Sequence, residues 1–144
     1  MMKRKIFTTI IIAALLFTMS VPTFAKSSKF GFTLSNRVVD GSENGKYHSL
    51  DGGTYASISG SMVQTGGATE TDLKNTIYAE LRNKTSGNSF GVVTLGKPSG
   101  GIMRTTFSGT FDERKTGGGT KYYLIIYRGE SDGRTMSGEG TLKD

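Results

Sequence analysis

Apolar and polar residues alternate along much of the chain after residue 29, which is the pattern of β-strands with one buried face. In the first such segment, Phe30, Phe32 and Leu34 lie on one side. No stretch after this point shows the period of an amphipathic helix. The segments with strand-like alternation cover residues 30–34, 54–64, 75–83, 89–95, 102–111 and 134–142.

A further segment, Tyr122 to Arg128, is apolar on both sides and predicts a central strand. The loop at 84–88 has the right length to join 75–83 and 89–95 as a hairpin. Turn-forming residues cluster at 40–45, 65–71, 84–88, 113–119 and 129–133. About seven or eight strands with short turns predict a single all-β domain, an antiparallel β-sandwich or jelly roll, with a closed barrel as the alternative. We expect its core to contain Phe30, Phe32, Ile58, Ile77, Leu81, Phe107, Phe111, Leu124 and Ile126.

A Ser-Gly pair recurs inside three of the strand-like segments, at 58–62, 107–111 and 136–140. The spacings are unequal, whereas a solenoid or propeller needs a fixed period. Glycine within a strand usually permits a bulge or a close backbone approach. We therefore interpret these glycines as packing positions, with repeated ligand contacts as the alternative.

The N-terminus has the organisation of a secretory signal peptide. Three basic residues, Lys3 to Lys5, precede an apolar run, and small residues at Thr23 and Ala25 form a cleavage pattern. The run is shorter than the ~20 residues that span a bilayer. We expect residues 1–25 to be removed and residues 26–144 to form the secreted, extracellular domain.

Composition excludes several functional classes. The chain has 21 Gly but no Cys, no Trp and one His, which excludes disulfide scaffolds, thiol catalysis and Cys-ligated zinc. Its formal net charge is +6, and removal of the three basic residues of the signal leaves +3. That charge is too small and too dispersed to indicate a nucleic-acid partner.

The segment from Asp40 to Asp51 resembles the twelve-residue calcium loop of EF-hands. Oxygen donors stand at loop positions 1, 3, 5 and 12, as Asp40, Ser42, Asn44 and Asp51, and a glycine stands at position 6. The flanking segments predict strands rather than the helices of an EF-hand. We therefore expect an Asx-rich connection between strands and no cofactor, with Ca²⁺ as the alternative.

No catalytic motif is present. A nucleophilic triad would have to use His48 with Ser49 and Asp51, which stand too close in sequence to converge along a strand. Asp112 and Glu113 are adjacent and indicate a solvated turn rather than a glycosidase pair. We expect an exposed loop histidine and a non-enzymatic protein.

Two classes of function remain. The first is a secreted binding module that recognises a cell-surface glycan, a wall polymer or a protein through loops and exposed tyrosines, with Tyr47, Tyr55 and Tyr78 as contact candidates. The second is a membrane-active β-toxin with a candidate hairpin at 54–83, whose alternating segments have the length of transmembrane strands. A secreted hydrolase inhibitor would show the same pattern as the binding module.

Overall fold

The computed structural model describes residues 25–67, 75–97, 104–115 and 121–144. Within these ranges the chain forms nine strands and no helix, and no described helix could cross a membrane. The strands are β1 (Ser27–Leu34), β2 (Val38–Asp40), β3 (His48–Ser49), β4 (Ser57–Gly67), β5 (Ile77–Asn83), β6 (Ser89–Gly96), β7 (Thr105–Thr110), β8 (Lys121–Arg128) and β9 (Arg134–Lys143).

The strands form two antiparallel sheets that face each other as a β-sandwich, as the sequence predicts. One sheet has the order β1-β9-β4-β7. The other has the order β2-β8-β5-β6, and β3 also pairs with β8. The predicted hairpin is confirmed as β5 and β6, and the apolar segment from Tyr122 is confirmed as a central strand, β8.

Two predictions about strand boundaries and pairing are wrong. Residues 65–67 of the turn expected at 65–71 belong instead to β4, which continues to Gly67 through a bulge between Gln64 and Gly66. The candidate hairpin at 54–83 does not form, since β4 pairs with β7 and β9 whereas β5 pairs with β6 and β8 in the other sheet. Residues 1–24, which hold almost all of the predicted signal peptide, and residues 68–74, 98–103 and 116–120 lie outside the described part of the chain.

The core lies between the two sheets, and its predicted members are found there. Eight of the nine residues expected in the core are buried. Phe30 is partly buried and packs against the core from β1, at the edge of its sheet. Two positions that the alternation also marks, Leu34 and Met62, are fully buried.

Glycines in the β1-β9-β4-β7 sheet make room for phenylalanine rings. One row across the sheet reads Phe30, Gly140, Gly60 and Phe107, each residue paired with the next. A Cβ at Gly60 would lie 2.8 Å from the Phe107 ring and would overlap the carbonyl oxygen of Glu139. The strand glycines are therefore packing positions, which is the role predicted for the Ser-Gly pairs.

Buried ion pairs stabilise both ends of β9. Near its start, Arg128 pairs with Asp132 and also donates from Nη2 to the carbonyl of Arg134 at 2.7 Å. At its other end, Lys115 pairs with Asp144 and donates to Oγ1 of Thr54 at 3.1 Å. These contacts attach the connecting loops to the ends of the sandwich.

We expect Gly60→Ala to destabilise the fold by about 1–3 kcal/mol, because an added Cβ must displace backbone and an aromatic ring. Gly129→Ala is the matched control: nothing lies within 4 Å of its Cβ position, so its effect should stay within about 0.5 kcal/mol. Urea unfolding of the two variants measures the difference. Equal stability of both variants would contradict the packing role.

Candidate functional site

The outer surface of the β2-β8-β5-β6 sheet carries four tyrosines, which we call the tyrosine face: Tyr47, Tyr78, Tyr123 and Tyr127. Three of them lie on the central strands β5 and β8, at positions that alternate with buried residues. Tyr47 immediately precedes β3, and its ring contacts that of Tyr123. The alternation that builds the core therefore also places these rings on one outer surface.

The four rings form two contacting pairs. Tyr78 and Tyr127 are cross-strand partners, stacked with ring centroids 5.5 Å apart and an interplanar angle of 27°. Tyr47 and Tyr123 meet edge to face at 6.4 Å. The ammonium of Lys84 lies 4.4 Å from the centroid of the Tyr47 ring, within cation–π range.

A charged pair lies on β5 beside the tyrosine pairs: Glu80 follows Tyr78 on the outer surface, and Arg82 is the cross-strand partner of Tyr123. Nε of Arg82 donates to Oε1 of Glu80 at 2.9 Å, and this hydrogen bond raises the pKa of the Arg82 guanidinium. Burial, and then the nearby Glu80, raise the pKa of the Tyr127 phenol. The phenol is protonated at neutral pH already at the ordinary tyrosine pKa of about 10, so it can donate a hydrogen bond to a ligand.

Exposed aliphatic side chains extend the tyrosine face at both edges. Val38 of β2, 52% exposed, pairs with Tyr127, and Val92 of β6, 43% exposed, pairs with Glu80. The outer surface of the other sheet is different in chemistry. Most of its outward positions on β4 and β7 carry hydroxyl groups, namely Ser57, Ser59, Ser61, Thr106, Ser108 and Thr110, and Val63 on β4 is half-buried. Aromatic rings on a sheet surface are thus confined to one side of the sandwich in the described part of the chain.

The structure brings together two of the three contact tyrosines predicted from the sequence. Tyr47 and Tyr78 lie on the tyrosine face, whereas Tyr55 is 51% exposed and lies just before β4, which belongs to the other sheet. Tyr122, one of the six tyrosines of the sequence, is fully buried against Phe90. The sequence also contains a signal for Tyr123 and Tyr127. They stand at odd positions of β8, on the opposite side of the strand from the buried Leu124 and Ile126.

The structure does not bring Asp40 and Asp51 together. Asp40 pairs with Ile125 of β8, and Ser49 pairs with Lys121. Ile125 and Lys121 are four positions apart, which is about 13 Å in an extended strand. Two ligands of one calcium ion lie within about 5 Å of each other, since each is 2.3–2.6 Å from the ion. The EF-hand-like spacing therefore spans two strands and not one closed loop.

The four candidate calcium donors have other contacts. Oδ1 of Asp40 accepts hydrogen bonds from the backbone N and the Oγ of Ser42, both at 2.7 Å, which forms an Asx turn. Nδ2 of Asn44 donates to the carbonyl of Asp40 at 3.0 Å. Asp51 accepts from Lys26 at 2.6 Å. Among the described residues, no three histidine or carboxylate side chains are grouped so that they could hold a metal ion.

His48 is not the exposed loop residue that we expected. It lies in β3, is 5% exposed, and its Nδ1 is 2.8 Å from Oγ of Ser28. The Phe30 ring meets its imidazole edge to face. Burial lowers the pKa of this imidazole, because the charged form loses its hydration. The side chain is inward because β3 alternates, with His48 facing the core and Ser49 exposed.

No protein-family model and no curated protein matches the chain. The VP2 subviral particle of infectious bursal disease virus is similar with a TM-score of 0.49 at 14% identity over 84% of this chain. The chain spans about a third, 33%, of that viral chain. Pilus-forming Bacillus endospore appendages are similar with a TM-score of 0.38 at 10% identity, covering 83% of this chain and 85% of theirs. None of these similarities transfers a function to this chain.

We expect the stability of the protein to fall as the pH drops below about 6.5, because of His48. Its folded pKa lies below the ordinary value, so between the two values the unfolded state binds more protons. The stabilisation is therefore complete above the unfolded pKa and decreases as the pH falls towards the folded one. Urea unfolding at a series of pH values from about 7.5 to 5.5 measures the slope.

His48→Gln provides the control, since it removes the only histidine of the chain and preserves a hydrogen-bonding group near Ser28. The slope in this pH range should then disappear. An unchanged slope in the variant would mean that another group causes it.

Proposed function

We propose that the protein is an exported, non-enzymatic binding module whose tyrosine face recognises a polymer of sugar rings, such as a cell-surface glycan or a wall polymer. The observation that carries the proposal is the arrangement of four tyrosine rings on one sheet surface. These rings are held by the two central strands of their sheet and by the Asx-stabilised segment before β3. Rigid strands give a ligand a surface that needs little reordering on binding.

Tyrosine suits sugar recognition because it combines a flat apolar ring with a hydroxyl group. The C–H side of a pyranose can pack on such a ring, while its hydroxyls need donors and acceptors nearby. Glu80, which follows Tyr78 on the outer surface of β5, and Arg82, which lies opposite Tyr123, offer both. The stacked Tyr78 and Tyr127 rings, with the edge-to-face pair beside them, provide successive contacts for an extended polymer.

The non-enzymatic part of the proposal is supported by the surroundings of the sole histidine. His48 is buried, and its hydrogen-bond partner in the described part of the chain is a serine hydroxyl. A triad would require a carboxylate to orient the ring and an exposed nucleophile. Export is supported by the signal-like organisation of residues 1–25 alone.

The test is co-sedimentation of the exported chain with cell walls, with insoluble cellulose and chitin, and with liposomes, at low and high salt. We expect retention on a wall or polysaccharide at both salt concentrations, because ring stacking is not screened by ions. The double variant Tyr78→Ala/Tyr127→Ala should weaken binding by about tenfold or more, equivalent to about 1.4 kcal/mol.

Two control variants sharpen this test. Tyr55→Ala removes an exposed tyrosine outside the tyrosine face and should leave retention unchanged. Tyr78→Phe/Tyr127→Phe keeps both rings and should restore most of the retention lost in the alanine variant. Circular dichroism of each variant checks folding. Retention on liposomes alone, or equal retention of the alanine variant, would refute the proposal.

A further inference from the structure

The two long sides of the sandwich are closed to different degrees. On one side β6 and β7 pack tightly, since a Cβ at Gly109 of β7 would overlap the side chain of Val93 in β6. On the other side, the edge strands β1 and β2 leave a cleft of about 720 Å³ between the sheets. This volume is within the usual range of binding pockets.

The cleft has an apolar wall and a basic rim. Its apolar lining comes from both sheets and consists of Phe30, Phe32, Val39, Leu124 and Ile126. Two exposed lysines, Lys29 and Lys46, also line it. No aspartate or glutamate is among the described residues that line the cleft. Its charge therefore complements an acidic occupant.

An insertion in the edge strand shapes one wall of the cleft. Asp40 pairs with Ile125 and His48 pairs with Tyr122, and these two partners are three positions apart on β8. Asp40 and His48 themselves are eight positions apart. Five residues between them therefore form a loop outside the strand. The loop leaves the strand at Gly41, whose N donates to the carbonyl of Leu124 at 2.9 Å. It returns at Lys46, whose N donates to the carbonyl of Gly41 at 2.7 Å. The second sheet thus has an interrupted edge beside the cleft.

The first sheet, by contrast, presents a continuous backbone edge to the cleft. The backbone N of Asp144 donates to the carbonyl of Lys26 at 3.0 Å. Lys26 and Asp144 are therefore a hydrogen-bonded pair in the register of β1 and β9. Bonded and non-bonded pairs alternate in antiparallel strands. The N–H and C=O groups of Lys29, Gly31 and Thr33 consequently point away from β9. All three residues line the cleft.

We propose that this cleft binds an extended acidic segment of a partner protein, which adds as a strand to the edge of β1 that no described strand covers. The backbone of such a segment would pair with Lys29, Gly31 and Thr33. Its inward apolar side chains would contact Leu124 and Ile126, and its outward carboxylates would face Lys29 and Lys46.

A peptide strand matches more of the chemical features of the cleft than an acyl chain does. A fatty acid would satisfy the apolar wall and the two lysines. It would leave the backbone groups of β1 without partners, whereas an added strand supplies a donor and an acceptor at every second residue. The cleft shares Tyr47 with the tyrosine face but none of Tyr78, Tyr123 and Tyr127, and the proposal does not depend on a glycan ligand.

The probe is a synthetic peptide of the same length as β1 that alternates valine and glutamate. Titration calorimetry with the exported chain measures its affinity. Three comparison ligands test the proposal: the same peptide N-methylated at every second residue, an analogue with lysine in place of glutamate, and dodecanoate. We expect each altered peptide to bind at least about tenfold more weakly, since one loses backbone donors and the other reverses the charge.

Amide hydrogen exchange locates the bound strand. Without the peptide, the amides of Gly31 and Thr33 should exchange faster than those of Phe30 and Phe32, which bond to β9. With the peptide, protection should appear at Gly31 and Thr33. Protection that appears elsewhere, without a change at these two amides, would overturn the proposal.

Variants of the chain separate backbone pairing from charge. Gly31→Pro removes the backbone N–H that faces the cleft and leaves the hydrogen bonds to β9 intact. The affinity for the peptide should fall by about tenfold or more. Gly31→Ala is its control, because the nearest atom to the added Cβ is 3.6 Å away. Lys29→Gln/Lys46→Gln should weaken binding, whereas the same change at the exposed Lys97 and Lys143 should not.

Three outcomes would refute the proposal. Tight binding of dodecanoate without binding of the peptide would make the cleft a lipid site. Equal binding of the N-methylated peptide would show that the backbone of β1 is not used. An unaffected Gly31→Pro variant, shown by its melting curve to be folded, would lead to the same conclusion. None of these results would alter retention on polysaccharide, so the two proposals can fail separately.

Discussion

The contact between phenylalanine rings and glycine backbone is the constraint on which the rest of the structure depends. In the β1-β9-β4-β7 sheet, Gly60 and Gly140 face each other on the two central strands. The space above them is filled from the edge strands by Phe30 and Phe107, whose ring centroids are 6.4 Å apart. Strand glycine loses backbone entropy and offers no side chain to pack, and an aromatic neighbour offsets part of that loss.

The two sheets also differ in their outer surfaces. In the first sheet the inner surface combines this glycine row with Ile58, Met62, Met136 and Leu142 of the central strands, and the outward positions of β4 and β7 are mostly serines and threonines. The second sheet has large side chains on both surfaces of β8, with Leu124 and Ile126 inside and Tyr123 and Tyr127 outside. Surface rings therefore collect on the second sheet.

The sequence predicted those features that depend on local alternation. Period-two patterning located the long strands, the hairpin of β5 and β6, and the core, because each side chain is assigned to a surface by its own neighbours. It failed where the assignment depends on distant partners. The alternating segments at 54–64 and 75–83 predict a candidate hairpin, but β4 and β5 belong to different sheets. No local pattern encodes which sheet a strand joins.

Individual sites show the same limit. His48 appeared to be an exposed residue because it follows a run of turn-forming residues, but pairing with Tyr122 carries it into the core. The spacing from Asp40 to Asp51 matched a calcium loop, although β8 holds the two ends of the segment apart. Tyr47 and Tyr78 were found, because tyrosine composition alone draws attention to them. The pairing register of the strands decides which tyrosines share a surface, and a single sequence does not show that register.

The loop that interrupts the second sheet connects the two proposed sites. Its residues are ordered by the Asx turn of Asp40 and by Tyr47, whose hydroxyl donates to the carbonyl of Ser42 at 3.2 Å. Lys46 at the rim of the cleft directly precedes Tyr47 on the tyrosine face. Because one peptide bond joins them, a ligand that shifts the backbone of one of these neighbours also shifts the backbone of the other. Contact at the cleft and contact at the tyrosine face therefore act on the same short segment of chain.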